Sequence, residues 1–300
     1  LFKSFVKREA PLHLMLIPGL ALVVIFSYLP MAGIVIAFQD FIPAKGLFGN
    51  QKWVGIENFI YVADLPSTMK VVMNTLQIAI MKIVSNLLVQ IAVALILNEL
   101  LFARFKKFVQ TIIYMPHFLS WIIISGMLVD ILSPSGGIVN RLIVALGFEP
   151  IFFLGSNAWF PYILVLSEVW KGFGFGSIIF LAAITGIDPQ LYEAARVDGA
   201  SRLRQIWHIT LPGIRMIIVL MCVLSLGSIL NAGFDQVFNL YSPIVYDSGD
   251  IIDTMVYRMG VLDAQFGVAT AVGLFQSLVS FILISIAYYL AYRLADYRIF

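Results

Sequence analysis

Six long apolar stretches separated by polar ones run along the chain, at about residues 13–38, 70–98, 109–132, 158–186, 213–233 and 267–292. Each reaches the roughly 20 residues at which an α-helix crosses the hydrocarbon core of a bilayer. None alternates apolar and polar residues over about ten positions, as a lipid-facing barrel strand would. The pattern predicts an all-α integral membrane protein with about six transmembrane helices. Lys3, Lys7 and Arg8 precede the first stretch, which is longer than the about 7–15 residues of a signal-peptide core and has no small-residue cleavage site. It is expected to be a retained membrane helix. The chain opens on Leu1 rather than Met, which is compatible with residues missing ahead of it.

The polar segments are informative too. Residues 39–69 contain Pro43, Gly46, Gly49, Gly55 and Pro66, and residues 133–157 open on Ser133-Pro134-Ser135-Gly136-Gly137, a turn signal. The short apolar run Ile138–Leu146 that follows predicts an interfacial helix. Residues 234–266 are polar and aromatic. The expected division is an N-terminal segment, 1–69, with the first span and its loop, and a core transmembrane domain, 70–300. No repeat of 20–50 residues and no low-complexity tract is visible.

Composition supports the membrane reading. Hydrophobic residues make up 61% of the 300 and charged residues 12%, against about 45–50% and 25% in soluble domains. The net charge of +2 is too small to suggest a nucleic-acid partner. Its distribution sets the topology. With the N-terminus inside, twelve Lys and Arg fall on inner segments (Lys3, Lys7, Arg8, Arg104, Lys106, Lys107, Arg196, Arg202, Arg204, Arg215, Arg293, Arg298). Five fall outside (Lys45, Lys52, Lys70, Arg141, Arg258). The positive-inside rule then puts both termini in the cytoplasm. The single cysteine, Cys222, excludes an intrachain disulfide and reads as a small buried hydrophobe.

One inner segment, residues 187–212, stays polar between two spans. Asp188 is a good N-cap and Pro189 fits the first helical position. Asp198-Gly199 ends that helix. Ser201 can cap a second one through Trp207, limited by Pro212. On the first helix Leu191, Ala194 and Ala195 form an apolar side, rimmed by Glu193, Arg196, Arg202 and Arg204. Such a helix suits docking into a partner's groove, or resting on lipid headgroups, and physical chemistry alone leaves both open.

This loop resembles the signature loop of binding-protein-dependent ABC importer permeases: EAA, three residues, Gly, nine residues, Ile, one residue, Leu-Pro. Glu193-Ala194-Ala195, Gly199, Ile209 and Leu211-Pro212 occupy every position. The segments WKGFGFGSIIFLAAITGIDPQLYEAA, GGIVNRLIVALGFEPIFFLGS, GDIIDTMVYR and FGVATAVGLFQSLVSF are similar to the carbohydrate branch, the last two most of all to its oligosaccharide and polysaccharide subgroup. The similarity covers most of the chain and is strongest after about residue 70, the first span being an addition to the common core. It implies the type I importer permease fold in the bacterial cytoplasmic (inner) membrane. It also implies a coupling helix, carrying Leu191, Tyr192, Glu193, Ala194, Ala195, Asp198 and Gly199, seated in a cleft of an ATPase. The implied partners are a second related permease, expected to be a different chain, an ATPase pair and an extracytoplasmic solute-binding protein.

The chain has no G-x-x-x-x-G-K-[ST]; no lysine follows Gly172-Phe173-Gly174-Phe175-Gly176 to hold phosphates. It is not expected to be an enzyme or to bind a cofactor, ATP and Mg belonging to the partner ATPase. His13, His117 and His208 lack metal spacing, and no nucleophile elbow appears. Charges within spans suggest a pathway. Glu168 and Lys171 share a helix face and can pair with each other, either as a buried pair that fixes helix packing or as a polar patch lining the pathway. Lys82 lies in the second span, and Trp170, Phe173 and Phe175 offer flat faces suited to sugar rings. Asn231, Asp235 and Gln236, where the fifth span ends, complete the candidate pathway. Gly172 and Gly176 form a G-x-x-x-G packing signal. A stand-alone secondary transporter or channel, the alternative, would need internal repeats and midplane ion sites.

Overall fold

A computed structural model describes the backbone of residues 2–227 and 229–295, and within these the side chains of all but residues 2–12, 290, 291 and 293–295. The side chains of Lys3, Lys7, Arg8, Arg293 and Arg298, counted above for topology, lie outside the described residues. In chain order the helices are α1 (Phe2–Val23), α2 (Glu57–Asp64), α3 (Thr68–Glu99), α4 (Ala103–Tyr114), α5 (Trp121–Leu132), α6 (Ile138–Ala145), α7 (Phe160–Thr185) and α8 (Pro189–Val197). They continue with α9 (Arg202–Gln205), α10 (Leu211–Gly213), α11 (Arg215–Gly227), α12 (Phe234–Leu240), α13 (Tyr246–Gly249), α14 (Ile252–Tyr257) and α15 (Phe266–Ala295).

The chain forms two compact units, residues 1–68 with 256–275, and residues 69–255 with 276–300. In the first unit α1 runs on through a π turn, Val24–Tyr28, into a 3-10 stretch, Leu29–Phe38. A two-stranded antiparallel ribbon, β1 (Gln39–Asp40) with β2 (Lys52–Trp53), sets Gln39 opposite Trp53. Asn58 fastens α2 to it, donating to the carbonyls of Ala37 (2.9 Å) and Gln39 (3.1 Å). Phe38 packs between Trp53 and Phe59, 5.7 and 5.4 Å between ring centres.

Among the described residues, four stretches are continuous and apolar enough to span: His13–Phe38, α3, α7 and Phe266–Tyr289. The expected third and fifth spans are each broken. Ala103–Phe118 meets Trp121–Leu132 at 99°, and Arg202–Gly213 meets Arg215–Gly227 at 59°. Counting each bent pair as one span gives six. The first break has a local cause. Pro116 cannot donate an amide, Leu119 turns extended (φ −77°, ψ 139°), and Ser120 starts a new helix by accepting from Ile123 N. At the second, Ile214 leaves helical geometry (φ −97°, ψ 5°). The helix from Arg202 runs through a π turn, Ile206–Thr210, and past the expected stop at Trp207 to Gly213, with Pro212 just before its end. The fifth span is also shorter than expected, α11 ending at Gly227.

In the second unit α3 and α7 pack through Ala94, Leu97, Phe180, Leu181 and Ile184, with Ile214 at the second bend closing the group. Lipid is as apolar as these side chains, so close fit rather than water exclusion holds them. The closest approach is at Gly174. A Cβ there would lie 2.0 Å from the Ile113 carbonyl oxygen, so only glycine lets α4 and α7 touch backbone to backbone. The G-x-x-x-G reading is corrected accordingly. Gly172 and Gly176 face side chains, Asn86 and Gln90, rather than a neighbouring backbone.

Candidate functional site

A cavity of about 420 Å³ opens among α3, α7, α11, the first break and the segment that follows α11, within the about 300–1,000 Å³ of small-molecule sites. From α3 come Ala79, Lys82, Ile83, Asn86, Leu87 and Gln90, a run of three- and four-residue steps that keeps them on one helix face. From α7 come Glu168, Lys171, Gly172, Phe175 and Gly176, spaced in the same way. His117 enters from the first break, Met221 and Ser225 from α11, and Asn231, Ala232 and Gly233 from the segment between α11 and α12. The small residues Gly172 and Gly176 leave room for the amides of Asn86 and Gln90 opposite them. The His117 ring stacks on Phe175, 4.1 Å between centres and 3° between planes, and Phe118 meets both edge-on.

Glu168 and Lys171 take partners other than each other. Lys171 does not turn to Glu168; its Nζ donates to the carbonyls of His117 (2.7 Å) and Leu119 (2.6 Å). The break at Pro116 leaves those carbonyls without helical amide partners, and the ammonium gives each a charge-assisted hydrogen bond. Glu168 lies instead 4.0 Å from Lys82 Nζ. Lys82 is buried and donates to Ala232 O (2.6 Å) and to Oε1 of Gln236.

Of the expected pathway residues, Glu168, Lys171 and Asn231 line the cavity. Trp170 and Phe173 do not, because the helical turn of 100° per residue carries them off the face shared by Glu168, Lys171 and Phe175; Trp170 is 43% exposed. Asp235 is exposed, at the start of α12. Gln236 is fully buried behind the wall, donating to Leu164 O (2.7 Å) and Ser167 Oγ (2.8 Å). The sequence reading missed Asn86 and Gln90. Lys82, Asn86 and Gln90 recur every four residues within an apolar span, and that polar stripe is the signal that identifies them.

A second region of the same unit lies around α8. Asp188 accepts from Gln190 N (2.9 Å) and starts the helix. Gly199, at φ +74°, ends it: its N–H reaches Arg196 O (3.1 Å) and that of Ala200 reaches Ala195 O (2.8 Å). This is the paired closure that needs a left-handed residue just past the helix end, and it gives the glycine of the loop its physical reason. Glu193 and Ala194 are exposed and Ala195 half-buried. Tyr192 points inward, its hydroxyl 3.0 Å from that of Thr210, so it braces the two helices rather than facing outward. Leu191 (53% exposed), Val197 (89%), Leu203 (70%) and Trp207 (67%) present an apolar surface, with Arg196 and Arg204 beside it. Arg202 pairs with Glu99 at the end of α3 (3.2 Å), over a pocket of about 330 Å³ that Tyr192 and Arg196 also line.

Residues 90–299 match the family described as binding-protein-dependent transport system inner membrane component. The chain is 44% identical to the polygalacturonan/rhamnogalacturonan transport system permease protein YteP of Bacillus subtilis, over 98% of this chain and 91% of that relative. It is 42% identical to protein LplB of the same organism, over 95% and 89%. Among solved structures it is similar to a bacterial ABC transporter involved in the import of the acidic polysaccharide alginate, with a TM-score of 0.90 and 36% identity, over 98% of this chain and 99% of that one. A bacterial alginate ABC transporter in complex with an alginate pentasaccharide-bound periplasmic protein is similar at a TM-score of 0.89, with 36% identity over 97% and 96%.

Proposed function

The chain belongs to the binding-protein-dependent inner membrane components of ABC transport systems, and from that membership we propose that it lines the pathway for an oligosaccharide bearing carboxylates. The observation that carries the solute class is the charge of the cavity: the two ammonium groups of Lys82 and Lys171 face a single carboxylate, Glu168. In a surround of low dielectric that excess attracts an anion. The amides of Asn86, Gln90 and Asn231 suit sugar hydroxyls, and the stacked His117 and Phe175 offer a flat wall for a sugar ring. The names of the relatives point the same way, to polygalacturonan and to the acidic polysaccharide alginate.

The surface around α8 is the ATPase contact in this reading. Leu191, Ala194, Val197 and Glu193 enter a cleft of the ATPase, while Tyr192, Asp198 and Gly199 hold the loop in shape. ATP and Mg are bound by that subunit, and this chain carries out no catalysis. A second, different permease completes the pathway, an extracytoplasmic binding protein delivers the solute, and both termini face the cytoplasm. ATP binding closes the ATPase pair, and α8 carries the motion into the spans as a rigid-body rearrangement.

The test of the solute class is uptake into proteoliposomes holding the whole transporter, with the binding protein saturated by either of two ligands. An oligogalacturonide is expected to enter at least about tenfold faster than its carboxyl-reduced, neutral analogue, a difference of about 1.4 kcal/mol. Equal rates would overturn the acidic reading while leaving the importer intact.

A further inference from the structure

Two segments of the second unit that leave helical geometry, one at the first break and one after α11, lie against an ammonium group sent from an unbroken helix. Where Ala103–Phe118 meets Trp121–Leu132, Lys171 of α7 holds the carbonyls of His117 and Leu119, and its Nζ lies 5.7 Å from the centre of the Trp121 ring. After α11, Lys82 of α3 holds the carbonyl of Ala232 and the side chain of Gln236, which is itself tied to Leu164 and Ser167. A carbonyl that leaves helical geometry within a bilayer has neither an amide partner nor water, at a cost of several kcal/mol. The two segments have the same remedy. The backbone at the second also comes as close as it can, since Gly233 is left-handed (φ +91°) and a Cβ on it would stand 3.1 Å from Lys82 Nζ.

We propose that Lys82 and Lys171 are positioning residues that cap the segment after α11 and the first break, respectively, and so set the cavity walls. Lys171 holds His117 in place, and Lys82 holds Asn231–Gly233. An ammonium has three N–H donors, and two of those on Lys171 go to carbonyls, as two of those on Lys82 go to Ala232 and Gln236. A ligand oxygen that displaced either carbonyl from Lys171 would leave it without a donor. Each lysine keeps one N–H for the cavity, and its capping bonds stand with or without a solute. This assignment stands on the geometry of the two segments and does not depend on which solute is carried.

Hydrogen exchange, read by mass spectrometry on the full-length permease with its co-purified subunits in lipid nanodiscs and without solute, tests it. Lys171→Met is expected to speed exchange in residues 117–121 by about tenfold or more and to leave 229–237 unchanged, because opening there no longer breaks two strong bonds. Lys82→Met should do the reverse, and Lys171→Arg, which still offers N–H donors, should exchange like the parent. Exchange unchanged in both Met variants, with uptake lost, would make the lysines solute contacts and overturn the proposal. If Lys171→Met fails to assemble, recovery of assembly in Lys171→Arg supports the cap, and failure of both overturns it.

Discussion

Replacing Gln236 by leucine strands three groups at once: the Lys82 ammonium loses an acceptor, and the Leu164 carbonyl and Ser167 hydroxyl lose a donor. Buried groups left unsatisfied cost about 1–3 kcal/mol each, and more when charged. Gln236→Leu is therefore expected to lower the melting temperature of the purified complex markedly, whereas Asp235→Asn, on an exposed neighbour, should leave it unchanged. Gly174→Ala sets a methyl into the Ile113 carbonyl and is expected to abolish the folded peak in size-exclusion chromatography of the tagged chain. Gly172→Ala, which meets only the end of the Asn86 side chain at 3.3 Å, should be tolerated. Asp253 gives a pH test. Burial pushes its carboxyl above the ordinary range, against a hydrogen bond from Gln276 that pulls the other way. Its raised folded-state pKa means that its contribution to stability is full below the unfolded value of about 3.9 and is lost as pH rises through the folded value. Asp253→Asn should thus raise the melting temperature at pH 7, with the gain shrinking toward pH 4.

At the level of elements, the sequence was most legible where local chemistry decides. The start of α8 at Asp188-Pro189, its end at Gly199 and the restart at Ser201 all follow from caps that a few residues determine, and the structure has each of them. The long apolar stretches were legible as spans for the same reason: twenty apolar residues in a bilayer leave the backbone few choices. The breaks were not legible. Pro116 was in plain view, but a proline inside a membrane helix is often tolerated, and the lysine that meets the carbonyls at the 99° bend, Lys171, is fifty-four residues beyond His117. Helix spacing allowed Glu168 to pair with Lys171, but it gives only who can meet, not which competitor is nearer. The outward turn of Trp170 and Phe173 follows from the face that Glu168 and Lys171 share, so spacing would have shown it once that face was known to be the wall. For α8 the expectation is specific. Glu193→Lys reverses a charge on an exposed helix, so the chain should still fold and insert but should no longer retain the ATPase on a pull-down.

At the scale of the whole molecule, the account joins a polar cavity among broken spans to a capped, exposed helix in the same compact unit, and makes the second the lever for the first. The sequence has no G-x-x-x-x-G-K-[ST], and in the proposed reading ATP is used by a separate subunit. The most direct measurement is solute uptake by proteoliposomes containing this permease, its partner permease and the ATPase, with the binding protein outside and ATP trapped inside. The account predicts that uptake requires both the internal ATP and the external binding protein, and that Glu193→Lys abolishes it. Uptake by this chain alone, without ATP or binding protein, would contradict the account and make it a stand-alone transporter or channel.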